Sequence, residues 1–463
     1  MTAHSAKVAA QRDVADALLN GWLSVQRERI GIAGLAAGII LSDETTLTVA
    51  HGFADAEKRI PMTVDTPMRV ASITKIFTVT ALLMARDRGL LALDAPAQSL
   101  VPELSSISSP ALAPAPITLR QLVSHTAGLP KDLPYGVQYW DRAEHDVVFP
   151  SAEEARAFLR ELRLICPPMT TFHYSNIGFM LVGLAVEAAF GIPYEAVVRD
   201  RILAPLGMAD SFFWSRSNAL RLARGYRQAG TNFAVAPNMD VGWDTAGGGL
   251  CCSANDLARF LRLHLTDHPA GGAQVLGGSS IREAQQPVFL MDDWDQGVGL
   301  GWWLRRFDGA TVATHSGNIA GFDSCVALVP ALGLGAFILT NTNAFFQLEQ
   351  LFESLLKSIM AASGSWMGAE QADRRAQQPL GRTQITGRYD TCELTYDVVE
   401  VGGRSAIVAM GDMQRVAWLE PTTEDGKFIG GKGFALGEPV VFAEPRNGRF
   451  TQLTLQGMKL RRG

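Results

Sequence analysis

The feature that most constrains this chain is an apolar helix whose first turn carries chemistry. In Val70-Ala71-Ser72-Ile73-Thr74-Lys75-Ile76-Phe77, a serine and a lysine stand three residues apart where a helical pattern begins. Ile76, Val79, Leu82 and Leu83 follow at helical spacing, and Gly89 marks the stop. Positions i and i+3 share a helix face, so the Ser72 hydroxyl and the Lys75 amine can meet. The positive end of the helix dipole favours negative charge developing at Ser72. A hydroxyl beside an amine able to take its proton is the minimum kit for a nucleophilic serine. The spacing alone is not specific, because it recurs at Ser354-Leu355-Leu356-Lys357 inside an apolar run with no evident chemistry.

The elements around that helix suggest its setting. Residues 8–29 read as one amphipathic helix, and 34–41 and 46–53 as a hairpin turning at Ser42-Asp43-Glu44. Thr118 caps a short helix over 119–124, and Ser151 caps 152–162. Further helices are expected over 177–190, closed by Gly191, over 196–203, and over 255–265 behind Ser253. The segment 131–150, with Tyr135, Tyr139 and Trp140, reads equally as a substrate lip or as a loop folded on its own small cluster. Strands return at 299–305, 311–315, 325–330 and 334–340, and a last helix over 347–360 would cover the sheet. Strands, then helices, then strands again make an α+β domain, a sheet interrupted by a helical region.

The 463 residues suffice for a large domain and a small one. We expect a first domain over 1–362, a polar Gln/Ala/Arg-rich linker over 363–381 and a second domain over 382–463. The latter has short strands and glycine turns (Gly402-Gly403, Gly430-Gly431, Asn447-Gly448), a pattern that suits a small β-barrel. The net charge of -5, with no basic run, argues against a nucleic-acid partner. Five cysteines lack metal-ligand spacing and read as thiols of a reducing compartment; no metal or cofactor is expected. Lys7, Arg12, Asp13 and Asp16 interrupt the amino terminus before any long apolar run, and 30–41 is too short to span a bilayer. The expectation is a cytoplasmic protein without a membrane partner.

Four motifs then occur in order: Ser72-Ile73-Thr74-Lys75, Leu122-Val123-Ser124-His125-Thr126-Ala127-Gly128-Leu129, Tyr174-Ser175-Asn176 and His315-Ser316-Gly317. Together with Ala246-Gly247-Gly248-Gly249-Leu250, they make the chain resemble the penicillin-binding-protein-like serine hydrolases. That family includes class C β-lactamases and related esterases, D-amino-acid peptidases and acyltransferases. The resemblance implies a β-lactamase-like domain followed by a lipocalin-like barrel. It also implies an acylated Ser72, with Lys75 and Tyr174 as the general base pair and His315 on the strand lining the site. The backbone N–H groups of Ser72 and Asn318 would form the oxyanion hole, and Asn176, Ser316 and Gly317 would bind substrate. His125 would hold a turn.

Free lysine and tyrosine titrate near 10 or above, so such groups serve as bases only when crowded together and partly buried. Lys75, Tyr174 and His315 around one hydroxyl would titrate as a unit. The substrate would be a small molecule or peptide carrying an ester or amide. Where β-lactamases and transpeptidases usually have Lys-Thr-Gly, this chain has His315-Ser316-Gly317, which implies weak or absent β-lactamase activity. Acyl transfer or peptide cyclisation through the same acyl-enzyme, a catalytically silent scaffold, and a homo-oligomeric state all stay open at this point.

Overall fold

The structure is a computed structural model. It describes residues 3–107, 116–132, 146–229, 232–266, 274–292, 294–307 and 309–362, together with eight strands between residues 387 and 462. The chain divides into two compact units, Met1–Trp366 and Met367–Gly463. Residues 133–145, which hold Tyr135, Tyr139 and Trp140, and the expected linker 363–381 lie outside the described residues.

The first unit is built on a nine-stranded antiparallel sheet. From edge to edge its strands are Phe289–Leu290, Gln296–Val298, Trp303–Phe307, Ala310–Ile319, Phe322–Val329, Leu334–Thr340, Gly34–Ile40, Thr46–Asp55 and Ile60–Pro61. Gly34–Ile40 pairs with Leu334–Thr340, Leu35 lying opposite Thr340. The first long strand thus closes against the last, and the helices between them are an excursion from one sheet. That is the α+β arrangement expected from the element order.

Both central strands are buried along their whole length, because both faces of the sheet are covered. Side chains alternate between the faces. Leu35, Ala37 and Ile39 pack with Leu19 and Leu23 of the amino-terminal helix and with Leu348 and Leu355 of the helix Phe345–Ala362. Ala36 and Ile40 belong to the opposite core, with Ile76, Phe77 and Leu82 of the serine's helix.

Two expected elements differ in detail. The helix over 8–29 is α-helical over Ala3–Asp16 and Leu23–Ile30, with a π-helical turn over Ala17–Trp22. Ala15, Leu19 and Leu23 recur every four residues, wider than the 3.6 of an α-helix, and the π turn keeps all three buried. Of the strand expected over 299–305, only 303–305 is strand, the start of Trp303–Phe307; 299–302 form the turn from Gln296–Val298, in which the Gly299 N–H donates to the Trp302 carbonyl at 2.9 Å.

Inside the helical excursion, the helix Thr74–Asp87 is buried from Thr74 to Ala85 and runs beside the buried helix Asn176–Phe190. A three-stranded sheet, Met68–Arg69 with Leu250–Cys252 and Phe212–Phe213, delivers the chain to Ser72. Among the described residues, no single helix is long and apolar enough to cross a membrane.

In the second unit, Gly387–Asp390, Thr395–Val401, Arg404–Met410, Val416–Pro421, Lys427–Gly430, Pro439–Arg446, Arg449–Leu455 and Met458–Arg462 pair in chain order. Tyr389 of the first strand lies opposite Arg462 of the last, so the ring is closed.

Candidate active site

Ser72 sits in a 3-10 turn, Ala71–Ile73, that opens directly into the helix Thr74–Asp87. The turn is strained: Ala71 holds φ at +46°, a left-handed conformation costing a non-glycine residue about 1–3 kcal/mol. Bonds on both sides hold it. The Thr74 hydroxyl donates to the Ala71 carbonyl at 2.6 Å and accepts from the Leu250 N–H at 3.1 Å. From the sheet, the Ser324 hydroxyl donates to the Val70 carbonyl at 2.9 Å.

Lys75 is fully buried. Its Nζ lies 3.0 Å from Ser72 Oγ and donates to the Gly247 carbonyl at 2.8 Å. The ammonium stands 5.1 Å from the ring centre of Tyr174 and 5.5 Å from that of Phe179. The second Ser-x-x-Lys pair makes no such contact. Ser354 donates to the Gln350 carbonyl, and Lys357 pairs with Glu353 at 2.7 Å.

Tyr174 is fixed by the loop that carries His125. His173 N–H donates to the His125 carbonyl at 2.8 Å, and Ser175 N–H donates to His125 Nδ1 at 3.0 Å. The His125 ring stacks on Tyr174 at 4.2 Å, with Trp303 parallel to Tyr174 at 6.4 Å. Burial, then the charge of Lys75, pushes the His125 imidazole well below its ordinary pKa, so it is neutral at neutral pH.

Asn176 is 5% exposed, and its Nδ2 donates to Asp132 at 2.6 Å while its Oδ1 is buried without a hydrogen-bond partner. Helix capping falls to its neighbour, since the Ser175 hydroxyl accepts from the Gly178 N–H at 3.1 Å.

The strand Ala310–Ile319 brings its motif residues in with alternating faces. His315 is buried with Nδ1 2.8 Å from the Ser316 carbonyl, so Nδ1 carries the proton and Nε2 is left as a buried acceptor without a partner. Burial and the nearby Lys75 pull this imidazole down to about 3, so it supplies no positive charge at neutral pH. Gly317 meets the nucleophile turn, for a Cβ built there would stand 2.3 Å from the Val70 carbonyl oxygen. The Ser316 hydroxyl bonds to Glu349, on the helix Phe345–Ala362. Its side chain is therefore on the other face of the sheet from that of His315. Asn318 donates its Nδ2 to Asp323.

Ser72, Lys75, Tyr174, Asn176, His315 and Gly317 thus belong to one cluster of contacts, threaded by Lys75, the His125 loop and the Val70–Ala71 backbone. The sequence reading assigned no role to Asp132, Asp244, Trp303 or Ser324. The one available clue was the acid preceding the Thr245-Ala246-Gly247-Gly248-Gly249 run.

The family described as Beta-lactamase matches residues 19–353. The chain belongs to the Beta-lactamase family. It is 29% identical over 336 residues to "Beta-lactamase-like protein 2" of Dictyostelium discoideum, covering 71% of this chain but only 59% of that protein's length. It is 25% identical over 346 residues to "D-alanyl-D-alanine-carboxypeptidase/endopeptidase AmpH" of Escherichia coli K12, covering 72% of this chain and 86% of the relative. The "octameric penicillin-binding protein homologue from Pyrococcus abyssi" superposes with a TM-score of 0.66 at 22% identity, over 96% of this chain and 98% of that one, which shows a shared fold. In this Beta-lactamase family member, the Ser-x-x-Lys, Tyr-x-Asn and His-x-Gly motifs meet around the Ser72 turn.

Proposed function

We propose that this chain is a serine hydrolase that cleaves an ester or amide through an acyl-Ser72 intermediate. The observation that carries the reading is the fully buried Lys75 amine, 3.0 Å from Ser72 Oγ and anchored from behind by the Gly247 carbonyl. In acylation, Oγ bonds to the substrate carbonyl carbon while its proton passes to the Lys75/Tyr174 pair. Tyr174, whose ring flanks the ammonium, hands a proton to the leaving alcohol or amine. Water then attacks the acyl carbon, the bond to Oγ breaks, the carboxylic acid leaves, and Ser72 Oγ takes back a proton through the Lys75/Tyr174 pair. The backbone N–H groups of Ser72 and Asn318 stabilise the tetrahedral oxygen, a contribution on the order of 10²–10³ in rate per donor.

Asn176, held by Asp132, offers its buried Oδ1 to a substrate N–H. This favours amide-containing substrates, short or D-amino-acid peptides, alongside simple carboxylic esters, and the carboxypeptidase relative supports the same class. The neutral His315 gives no cation for a substrate carboxylate and supports weak β-lactam hydrolysis. Among the described residues, the free thiols of Cys166, Cys251, Cys252 and Cys325 support action in a reducing compartment such as the cytoplasm. The second unit is read as a lipocalin-like barrel appended to the catalytic unit. A panel of p-nitrophenyl esters, D- and L-aminoacyl amides and nitrocefin, run on one preparation with Ser72→Ala as control, tests the proposal. Ester or amide turnover lost in the variant supports it; turnover that survives the substitution sinks it.

A further inference from the structure

Asp244 is a buried carboxyl that the acyl-enzyme chemistry does not use. It ends the turn Gly242–Asp244, is 6% exposed, and its Oδ1 accepts no hydrogen bond. An unsatisfied carboxylate oxygen in such a place is costly, so its charge state matters to its neighbours. Its position is specific. A Cβ built on Gly247 would stand 2.1 Å from Asp244 Oδ1, so the carboxyl rests directly on the residue whose carbonyl receives Lys75 Nζ at 2.8 Å.

The groups that act on Asp244 come from three other elements. Lys75, on the helix Thr74–Asp87, favours its ionised form, and Asp132, in the loop that holds Asn176, opposes it. Tyr194, on the helix Tyr194–Val198, also feels the Asp244 charge, and its hydroxyl is engaged by Thr78 Oγ1 at 2.6 Å. Burial outweighs the pull of Lys75 and lifts the carboxyl from its ordinary value to about 7.

We propose that Asp244 is a positioning residue of this hydrolytic site, whose carboxyl, seated on Gly247, sets the pH at which the Lys75–Ser72 pair becomes reactive. This rests on the acyl-Ser72 reading above. An anion behind an ammonium opposes loss of its proton, whereas a protonated carboxyl in the same place does not. The charge state of Asp244, carried to the site through Gly247, therefore shapes the ascending limb of the pH profile.

The test is the rate of Ser72 labelling by a fluorophosphonate between pH 5 and 9, for the full-length wild type, Asp244→Asn and Asp244→Glu. Asparagine keeps the shape and removes the anion, so its ascending limb should move toward acid by about one pH unit, while glutamate keeps the limb near the wild-type position. A limb that stays put in Asp244→Asn, with only a uniform fall in rate, would mean a purely structural residue and overturns the inference. Should Asp244→Asn not fold, Asp132→Asn probes the same carboxyl from its other side. Removing the Asp132 charge leaves Asp244 ionised to lower pH, so the limb should shift slightly toward alkali, opposite to Asp244→Asn, and no shift there also overturns the inference. Absence of any wild-type labelling at Ser72 would instead defeat the acyl-enzyme reading itself, so the two failures are told apart.

Discussion

Gly317 and Val70 approach so closely that a single added carbon at residue 317 would stand 2.3 Å from the Val70 carbonyl oxygen. The same carbonyl receives the Ser324 hydroxyl at 2.9 Å. The strand Ala310–Ile319 and the turn that presents Ser72 are therefore packed as one piece. The oxyanion donors proposed at Ser72 and Asn318 keep their spacing only while that contact is intact.

A Cβ 2.3 Å from the Val70 oxygen must move to at least 3.0 Å, so Gly317→Ala should force the strand and turn apart by about 0.7 Å or more. We expect kcat/KM for a p-nitrophenyl ester to fall on the order of 10²–10³-fold, about the value of one misplaced oxyanion donor, with the circular dichroism spectrum retained. Activity within twofold of wild type would show that the close approach does not govern the site.

Lys75→Ala and Tyr174→Phe should each cost several orders of magnitude, and the double variant little more than either alone, because groups that act as a unit lose their effect together. A double-mutant cycle on kcat measures this. Additive losses would mean that the two side chains do not share one proton path.

His264 is 2% exposed, its Nδ1 lacks a partner, and burial lowers its imidazole to about 3. Its folded pKa lies below its unfolded value near 6.5, so it stabilises fully above that value and loses stability as pH falls toward 3. His264→Gln removes that titration. Between pH 6.5 and 3, stability by urea unfolding should then fall less steeply with pH, by about 1.4 kcal/mol per pH unit. An unchanged slope would show that His264 is protonated without cost.

A chain ending at Arg382 should fold and keep the proposed acyl-Ser72 chemistry, because every residue of the proposed site lies in the unit Met1–Trp366, which has its own continuous cores. A cooperative thermal transition with labelling of Ser72 is the expected result. Aggregation of the truncated chain would refute independent folding.

Local order was largely legible in the residues. The strand Leu334–Thr340 ends where the apolar run ends, and Ser151, Thr118 and Ser253 cap the helices they announce. Ser72 and Lys75 were legible because their spacing and the helix dipole are local properties. What stayed hidden depends on contacts between distant residues. The pairing of Leu35 with Thr340 joins residues some three hundred apart, and no periodicity announces it. The two-residue strands Met68–Arg69 and Phe212–Phe213 are too short to show alternation. The contact of the Ser316 hydroxyl with Glu349, set by strand alternation, was equally hidden. Asp244 carries no motif of its own, and only its contact with Gly247 draws attention to it.

The central claim is that Ser72 is the atom-bearing nucleophile activated by Lys75. Intact-protein mass spectrometry after fluorophosphonate treatment, with peptide mapping of the adduct, tests it most directly. We predict one adduct, on Ser72, absent in Ser72→Ala and at least a hundredfold slower in Lys75→Ala. An unmodified Ser72 in the folded protein, or an adduct on Ser354 instead, would contradict it.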